Sequence, residues 1–450
     1  MISSDTIVAS ATASGQGAVS VIRLSGPSAI QIGETLAQRT LHPRTAHYGA
    51  LHNNSEQIDS GLWLCFPKPK SFTGEDVVEF QGHGGPVVIQ RCIQAMVDQG
   101  ARPAKPGEFS ERAFLNDKID LTQAEAIADL IAASSDQAAR AANHSMNGVF
   151  GNRINALVDS LTHIRTHIEA HIDFPDEEIS PTALTRIQSE LDTVLTSLSD
   201  LLSRAEDGVK LNQSPRIGLI GAPNAGKSSL LNALSQQPLA IVTDIPGTTR
   251  DLIRHTIVVR GLELSITDTA GIRDTTDRIE QEGIKRAQDA VKHCDIIVCL
   301  FDATSHPSIH DQDIERLVSH ALTPTQTLLT IHNKIDLDTD PLENHSSYNY
   351  VQISAVKGDG IDQLLDWFEE HLRSNHQAET IFTARARHLK HLRESLNYLE
   401  TARSLELTSM TIDLVAEDLR LAQHCLSEIT GRFSSDDLLG EIFSSFCIGK

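Results

Sequence analysis

The stretch Ile217-Gly-Leu-Ile-Gly-Ala-Pro-Asn-Ala-Gly-Lys-Ser-Ser229 is an apolar strand that runs into a glycine-rich turn. Gly221 to Ser228 match the pattern G-x-x-x-x-G-K-S, which is typical of a phosphate-binding loop (P-loop). Glycines let backbone N–H groups curl around phosphates, the Lys227 ammonium suits the β- and γ-oxygens, and the Ser228 hydroxyl suits Mg²⁺. Because the helix-forming run Leu230 to Leu234 follows, the stretch predicts a nucleoside triphosphate site between a strand and a helix.

Three further motifs stand at the ends of predicted strands. Asp268-Thr-Ala-Gly271 ends an alternating strand, so Asp268 is expected to serve Mg²⁺ through water, and Gly271 to move with the γ-phosphate. Asn333-Lys-Ile-Asp336 ends an apolar strand, and the Asp336 carboxylate matches the ring N–H and exocyclic amine of guanine, donors that adenine lacks. Ser354-Ala355 completes the base pocket. The four motifs together predict a Ras-like P-loop α/β GTPase domain.

A switch segment is predicted in Thr243-Asp-Ile-Pro-Gly-Thr-Thr-Arg-Asp251. Thr249 is the expected second hydroxyl ligand of Mg²⁺ beside Ser228, ordered only while the γ-phosphate is present. Ile272 stands where Ras-like enzymes carry a water-positioning glutamine, so hydrolysis needs another polar group. The candidates for that group are Arg250, Arg273, Asp274, Asp277 and Glu280. The residues predicted to contact GTP are Asn224, Ala225, Gly226, Lys227, Ser228, Ser229, Thr243, Asp244, Ile245, Pro246, Gly247, Thr248, Thr249, Asp268, Thr269, Ala270, Gly271, Asn333, Lys334, Ile335, Asp336, Ser354 and Ala355.

Composition limits the class of protein and its partners. The 450 residues are enough for about three domains at roughly 150 residues each. A formal net charge of −22 does not favour broad neutralisation of nucleic-acid phosphates, so an RNA substrate would need a local basic patch or a partner protein. The sequence shows no secretory signal and no bilayer-length apolar run, and its six cysteines lack zinc or redox spacing. These features predict a cytoplasmic protein with reduced thiols and no membrane partner.

Residues 1–118 are predicted to form a small α+β domain. Ala18 to Leu24, Gly61 to Phe66 and Asp76 to Phe80 have the character of strands, and Pro27 to Arg39 and Pro86 to Gln99 that of helices. Its polar, glycine-containing segments, such as Ser71 to Asp76, are consistent either with a ligand pocket or with ordinary turns.

The GTPase domain, residues 215–373, lies between two helical segments, residues 119–210 and 376–450. Apolar residues recur every three or four positions in both segments, for example from Ile154 to Ile168. Neither segment holds enough apolar residues for a core of its own, which favours one all-α bundle with the GTPase domain inserted over two independent helical domains. His163, His167 and His171 lie four apart, and solvated or packed histidines are favoured over a metal site because no carboxylate or cysteine accompanies them.

Five segments resemble the MnmE (TrmE) family of bacterial and organellar tRNA modification GTPases. They are the Pro223-Asn224 P-loop, Thr243 to Asp251, Phe72 to Asp76, Phe80 to Gly85, and the C-terminal Phe446-Cys-Ile-Gly-Lys450. The resemblance covers essentially the whole chain. A prenylation signal is the alternative for the C-terminal tail, and its terminal lysine argues against it.

The resemblance implies a GTPase domain stimulated by K⁺, which supplies positive charge where an arginine finger would otherwise act. Matched by motif, the K⁺ ligands would be Asn224, Thr243, Ile245 and Thr248. Glu280 would help to orient the attacking water, which fills the gap left by Ile272.

The family's N-terminal domain dimerises and binds a tetrahydrofolate one-carbon donor, a 5-formyl or methylene derivative. By position, Arg23, Glu79, Lys118 and Lys450 would contact it. The resemblance also implies a heterotetramer with the FAD-containing partner MnmG. Together the two proteins would attach an aminomethyl or carboxymethylaminomethyl group to C5 of the wobble uridine of certain tRNAs. Cys447 is the candidate thiol for the modification chemistry.

Two other classes of GTPase carry the same nucleotide motifs. A ribosome-assembly switch GTPase predicts a basic RNA-binding domain after the GTPase domain, and here acidic helices occupy that position. A membrane-remodelling GTPase predicts a basic amphipathic helix or an apolar anchor, and neither is evident.

Overall fold

The computed structural model describes most of the chain. It covers residues 5–449 with the exception of 14, 134, 174–180, 213–214, 223, 236–240, 244–253, 260–261, 269–293, 305–317, 319–321, 324–325, 338–348, 373–381, 406–410, 433–435, 445 and 447–448. The described residues divide into two compact units. Unit 1 comprises residues 1–131, 142–203 and 386–450, and unit 2 comprises 132–141 and 204–385.

The N-terminal part of unit 1 is a six-stranded sheet with helices packed on it. Its elements in chain order are β1 Ile7–Ser10, β2 Gly17–Ser25, α1 Ala29–Ala37, β3 His47–Asn53, β4 Glu56–Phe66, β5 Val77–Gly84, α2 Pro86–Asp98, β6 Arg102–Pro103 and α3 Glu108–Leu115. The strand order is β3-β4-β5-β2-β1-β6, antiparallel except for the β1–β6 pair.

Alternation along the strands separates the two faces of this sheet. Ile22, Phe80 and Trp63 are buried with α1 and α2, and the Trp63 and Phe80 ring centroids lie 4.6 Å apart. The intervening positions lie on the opposite face, because successive side chains of a strand point to opposite sides. Arg23 and Glu79 are cross-strand partners on that second face, where Phe109 of α3 packs with Ile7 and Ala9 of β1.

The helices of unit 1 form one bundle from both helical segments of the chain. They are α4 Leu121–Ala132, α5 Asp136–Met146, α6 Val149–Asp173 and α7 Pro181–Asn212, of which unit 1 excludes residues 132–141 and those beyond 203. After the GTPase domain come α10 Ala386–Ser404, α11 Ile412–Thr430 and α12 Asp436–Ser444, numbered in chain order after the helices described within that domain.

The two helical segments share one core. α11 packs on α6 as well as on α10, and Arg165 on α6 donates to Gln423 on α11 with 2.5 Å between the heavy atoms. Apolar residues of α12 pack with Leu121 and Ala124 of α4. The prediction of a single bundle interrupted by the GTPase domain is therefore confirmed. None of the described helices is long and apolar enough to span a membrane.

Unit 2 contains a seven-stranded sheet with helices around it. Its elements are β7 Arg216–Gly221, α8 Lys227–Ser235, β8 Ile241–Thr243, β9 Arg254–Val259, β10 Leu262–Asp268, β11 Ile296–Asp302, β12 Thr327–Asn333, β13 Tyr350–Ile353 and α9 Ile361–Leu372. The strand order is β13-β12-β11-β7-β10-β9-β8, parallel from β13 to β10. Because β7 is central, the loop after it lies at the carboxyl edge among the ends of its parallel neighbours.

Candidate functional site: the nucleotide-binding edge of the sheet

The P-loop connects the buried strand β7 to the first turn of α8. Asn224 and Gly226 have positive φ angles of 67° and 99°, which curl the backbone so that successive N–H groups face one side. Lys227 and Ser228 begin α8, whose N-terminal N–H groups and dipole favour bound phosphate. The geometry is that of an anion cradle.

Gly226 is required by contact as well as by conformation. A Cβ at this position would lie 2.1 Å from Asn333 Nδ2. Asn333 is buried, and its Nδ2 donates to the Ala225 carbonyl at 2.9 Å while its Oδ1 accepts from the Ala355 N–H at 3.0 Å. One side chain thus joins the P-loop to the Ser354-Ala355 loop, so the phosphate and base ends of the site hold each other in place.

Lys227 lies over the P-loop. Its Nζ donates to the carbonyls of Gly221 and Ala222 at 2.7 and 2.9 Å, and the side chain is buried. Ser228, the next residue, is exposed at the start of α8. The ammonium and the hydroxyl are therefore on the loop that would enclose phosphates, as the motif predicts for these residue types.

The base end of the site centres on Asp336. Its Oδ1 accepts from Ser354 Oγ at 2.7 Å, and Lys357 Nζ lies 3.8 Å from Oδ2. The Ser354 hydroxyl also accepts from the Lys357 N–H at 3.2 Å. These contacts hold one oxygen of the carboxylate, and the other faces only an exposed lysine. The group can therefore accept a pair of donors from a guanine edge.

Lys334 forms an ion pair that the sequence did not predict. It has φ of 70°, and its Nζ bonds to Asp302, the last residue of β11. Burial raises the pKa of Asp302, but hydrogen bonds from Lys334 and Thr304 outweigh it, and the net pKa is lower than usual. Asp302 therefore stays ionised and holds the Asn333–Asp336 loop against the neighbouring strand end.

The backbone of two more predicted residues is described. Asp268 ends β10 and pairs with Leu219 of the P-loop strand, as its expected role beside the P-loop requires. Thr243 ends the edge strand β8. The remaining predicted nucleotide, Mg²⁺, K⁺ and catalytic residues lie outside the described residues: Asp244, Ile245, Pro246, Gly247, Thr248, Thr249, Thr269, Ala270, Gly271 and Glu280.

A second cluster of predicted site residues lies on the face of the N-terminal sheet that is opposite α1 and α2. Arg23 Nε donates to Glu79 Oε1 at 2.8 Å, across the β2–β5 pair. The guanidinium also lies over two aromatic rings, 5.5 Å from the centroid of Phe72 and 5.8 Å from that of Phe109. Phe72 is 37% exposed, so an aromatic surface borders this charged pair. Motif spacing gave no sign of Phe109, because its contact depends on the fold.

The loop between β4 and β5 connects this pair to Lys118. Lys118 Nζ donates to the Pro69 carbonyl at 3.1 Å, and its stem passes Gly74, both in the loop that carries Phe72. Glu75 of the same loop binds the buried Arg112 at 3.0 Å and the Ser25 hydroxyl at 2.7 Å. The contacts of Glu75 with Arg112 and Ser25 therefore hold the segment Ser71 to Asp76 in place, so it is more than a simple surface turn.

The C-terminal tail also reaches this sheet. Phe446 is buried, and a Cβ at Gly449 would lie 2.0 Å from the Ser10 carbonyl of β1. Ser10 is adjacent to Ala9, the cross-strand partner of Arg23. Cys447 and Lys450 themselves lie outside the described residues. Gly449 therefore approaches β1 one residue from the position that pairs with Arg23.

The strand order of unit 2, its central P-loop and the carboxylate at its base end define a P-loop GTPase. A family model described as the MnmE helical domain matches residues 121–447, and one described as the N-terminus of GTP-binding protein TrmE matches residues 6–118. This chain therefore belongs to the MnmE (TrmE) family of tRNA modification GTPases.

Full-length relatives support the same assignment. The tRNA modification GTPase MnmE of Vibrio cholerae is 47% identical over 453 residues, with 100% of both chains covered. The proteins of the same name from Proteus mirabilis and Saccharophagus degradans are each 46% identical over 454 residues, covering 100% and 99% of both chains respectively. The resemblance noted in the sequence is thus confirmed over the whole length.

Proposed function

We propose that this chain hydrolyses GTP in a K⁺-stimulated reaction and, with an FAD-containing partner of the MnmG type, modifies C5 of the wobble uridine of certain tRNAs. The observation that carries the proposal is the presence of two separate sites on one chain. One is the nucleotide site of unit 2, and the other is the Arg23–Glu79 pair with the C-terminal tail beside it. A switch GTPase without modification chemistry has no need of the second site.

The P-loop residues fit the proposed cations. Ser228 and Thr249 would hold Mg²⁺, and Asn224, Thr243, Ile245 and Thr248 would hold K⁺. Asn224 is exposed at the rim of the cradle with φ of 67°, which suits a side-chain oxygen ligand. When bound, the two cations would supply the positive charge that stabilises phosphoryl transfer. The chain's own part is to cradle the phosphates with N–H groups and Lys227.

The K⁺ site is tested by comparing hydrolysis in K⁺ and Na⁺ at equal ionic strength. Wild-type chain should be stimulated by K⁺, and Asn224→Ala should lose that stimulation while it retains GTP binding. Equal rates in both salts for the wild type would contradict the assignment.

Glu280 is the proposed positioning group for the attacking water. We expect Glu280→Ala to keep its affinity for GTP and to lower kcat by roughly 10² or more, the scale usual for a positioned acid–base group. Unchanged K⁺-stimulated turnover in that variant would eliminate Glu280 as the positioning group.

The Arg23–Glu79 pair is the proposed folate site, together with Lys118 and Lys450. Its fit rests on an arginine and a lysine for anionic groups, a glutamate for ring N–H donors, and the exposed face of Phe72 for stacking. The cofactor would supply a one-carbon unit. Isothermal titration with 5-formyl-tetrahydrofolate should show binding to the wild type and loss in Arg23→Ala. Unchanged binding in Arg23→Ala would overturn this assignment.

Cys447 is the proposed thiol of the modification chemistry, because its neighbour Phe446 is buried and Gly449 contacts β1 near the folate residues. We expect Cys447→Ser to leave GTP turnover nearly intact while it abolishes tRNA modification. Equal loss of both activities would indicate a structural role for the residue instead.

The proposed assembly is a homodimer through the N-terminal domain and a heterotetramer with the partner, in the cytoplasm. Support for the dimer comes from Tyr48 and Leu62, exposed by 71% and 38% and paired across β3 and β4. They lie on the face that also carries Arg23 and Glu79, opposite α1 and α2, because registered partners share a face. With a net charge of −22, tRNA binding would depend on the partner.

A further inference from the structure

Four side chains capable of binding metals meet between α10 and α11. His391 and Glu394 stand three residues apart on α10, and Cys425 and Glu428 stand three apart on α11. Residues three apart on a helix share a face. Because the two helices pack together, both pairs meet at one interface within unit 1, whereas the nucleotide site belongs to unit 2.

The distances suit one metal ion. His391 Nδ1, a carboxylate oxygen of Glu394 and Cys425 Sγ all lie within 4.8 Å of one another. His391 Nδ1 is 3.7 Å from Glu394 Oε2 and 3.3 Å from Glu428 Oε2. Zinc–ligand bonds of about 2.0–2.3 Å place tetrahedral ligand atoms roughly 3.3–3.8 Å apart. Among the residues that the structure describes, no other group of three such side chains meets this spacing.

Burial gives an independent sign that a ligand belongs here. His391 Nδ1 is buried and forms no hydrogen bond, although Glu428 Oε2 lies 3.3 Å from it. A buried polar atom without a hydrogen-bond partner is unfavourable. A metal ion held by the surrounding side chains would be a partner for His391 Nδ1. Cys425 is buried as well, whereas Glu394 is 43% exposed, so an ion could enter from the glutamate side.

The carboxylates of Glu394 and Glu428 are also poorly neutralised by nearby cationic side chains. The nearby Arg387 bonds to Glu125 and to the carbonyls of Glu428 and Ile429. Lys390 reaches Glu394 only at 3.9 Å and is itself 71% exposed, so it can give way to an ion.

We propose that His391, Glu394 and Cys425 bind a divalent transition-metal ion, with Zn²⁺ the best match, that Glu428 beside His391 supplies the fourth ligand, and that the ion joins α10 to α11. One nitrogen, one sulfur and two carboxylate oxygens form a donor set that suits Zn²⁺ better than Mg²⁺ or Ca²⁺, which prefer oxygen alone. The competing interpretation is a metal-free ion pair between His391 and Glu428.

The test uses the full chain, purified and stripped with a chelator, and titrated with Co²⁺ as the probe. Binding should produce a thiolate-to-cobalt charge-transfer absorption that saturates at one equivalent and disappears on adding Zn²⁺. Zn²⁺ alone should raise the thermal midpoint, since a ligand that binds only the folded state stabilises it. Absence of the absorption in the wild type would overturn the proposal and leave the ion pair.

Three variants locate the site. Cys425→Ser should remove the absorption, and Glu394→Gln, a half-exposed position that should tolerate the change, should weaken Co²⁺ binding by roughly tenfold or more. The matched control is the double variant His163→Gln/His167→Gln. Those two rings share exposed positions on α6 beside the Arg186 guanidinium, which disfavours a cation there. The control should keep the full absorption. Absorption that survives in Cys425→Ser, or unchanged affinity in Glu394→Gln, would contradict the assignment.

Discussion

At the scale of single residues, Gly226 couples the two ends of the nucleotide site. A side chain there would meet Asn333 Nδ2 at 2.1 Å and would also have to adopt φ of 99°. We expect Gly226→Ala to lose at least tenfold in GTP affinity, because the clash displaces the asparagine that joins the P-loop to Ala355 and leaves polar groups unpaired at about 1–3 kcal/mol each. Titration with a fluorescent GTP analogue measures the affinity of the variant and of the wild type.

Gly100→Ala is the matched control for that change. Gly100 has φ of 101°, yet a Cβ there meets nothing within 4 Å, so only backbone strain is added. GTP affinity should stay at the wild-type value in this variant. Equal affinities for Gly226→Ala and the wild type would show that Asn333 does not depend on the glycine.

Asp336 should determine the choice of base. Replacing the carboxylate with an amide removes one acceptor and adds a donor, so Asp336→Asn should bind GTP roughly 10- to 100-fold more weakly, since an unmatched buried polar group costs about 1–3 kcal/mol. XTP has an acceptor where guanine has its amine, so it should bind Asp336→Asn more tightly than it binds the wild type. Competition titration with GTP, ATP and XTP checks the order, and unchanged preference for GTP would rule out the base-reading role.

Motifs in the sequence identified the chemistry of these residues but not their contacts. Lys227 and Asp336 are specified by residue type and local spacing, which a pattern can register. The bridge from Asn333 to Ala225 spans 108 residues, and the Lys334–Asp302 pair spans 32. Such contacts depend on which strands are neighbours, and local spacing carries no information about strand order.

At the scale of secondary-structure elements, a buried ion pair joins α4 to α10. Arg387 donates twice to the Glu125 carboxylate, at 2.8 and 3.0 Å, and His388 Nε2 lies 2.9 Å from it. Burial alone raises the pKa of Glu125, but His388 and Arg387 outweigh it, and the pKa of this carboxyl falls well below its usual range. The unfolded chain therefore takes up this proton at a higher pH than the folded chain.

Stability should consequently depend on pH through this element contact. The contribution of Glu125 is complete above the ordinary glutamate pKa of 4.5 and is lost as pH falls below it. Glu125→Gln should unfold more easily near neutral pH, by about 3–5 kcal/mol, because it leaves the arginine without its buried partner. Its free energy of unfolding should also fall less steeply than that of the wild type as pH decreases from about 5 to about 3. Urea denaturation at several pH values measures both.

The matched control is Glu417→Gln on α11. Glu417 also pairs with an arginine, Arg420, but both side chains are about half exposed. Solvent screens such pairs, so neither stability nor its pH dependence should change appreciably. Parallel pH profiles for Glu125→Gln and the wild type would show that the buried carboxylate is not the source of the acid sensitivity.

The sequence predicted long periodic elements better than short polar ones. The apolar repeats gave the helical character of α6 and α7, and the predicted strand Ala18–Leu24 lies within β2. β6 has only two residues, and α3 is a polar helix within a glycine-containing segment. Both elements are too short to show a clear periodic pattern in the sequence. Their formation depends on tertiary contacts, which a local pattern does not register.

At the scale of the whole molecule, the GTPase domain is an insertion whose two connections run side by side. A Cβ at Gly208 would lie 2.3 Å from the Phe382 carbonyl, so the entering and leaving segments touch. We expect a chain in which a short Gly-Ser linker replaces residues 209–381 to keep the folded, cooperative bundle of unit 1. Circular dichroism and urea denaturation test this, and residues 215–373 alone should bind GTP. A deletion variant without a cooperative transition would show that the bundle requires the inserted domain.

We propose that GTP hydrolysis by this chain serves modification of the tRNA wobble uridine. Mass spectrometry of that uridine tests the proposal, in tRNA from cells that lack the gene and from the same cells restored with the wild type or with Gly226→Ala at matched protein levels. We expect C5-aminomethyl-type modifications to vanish without the gene, to return with the wild type, and to stay absent with Gly226→Ala. Unchanged tRNA in the deletion strain would contradict the claim, and full restoration by Gly226→Ala would separate modification from GTP binding.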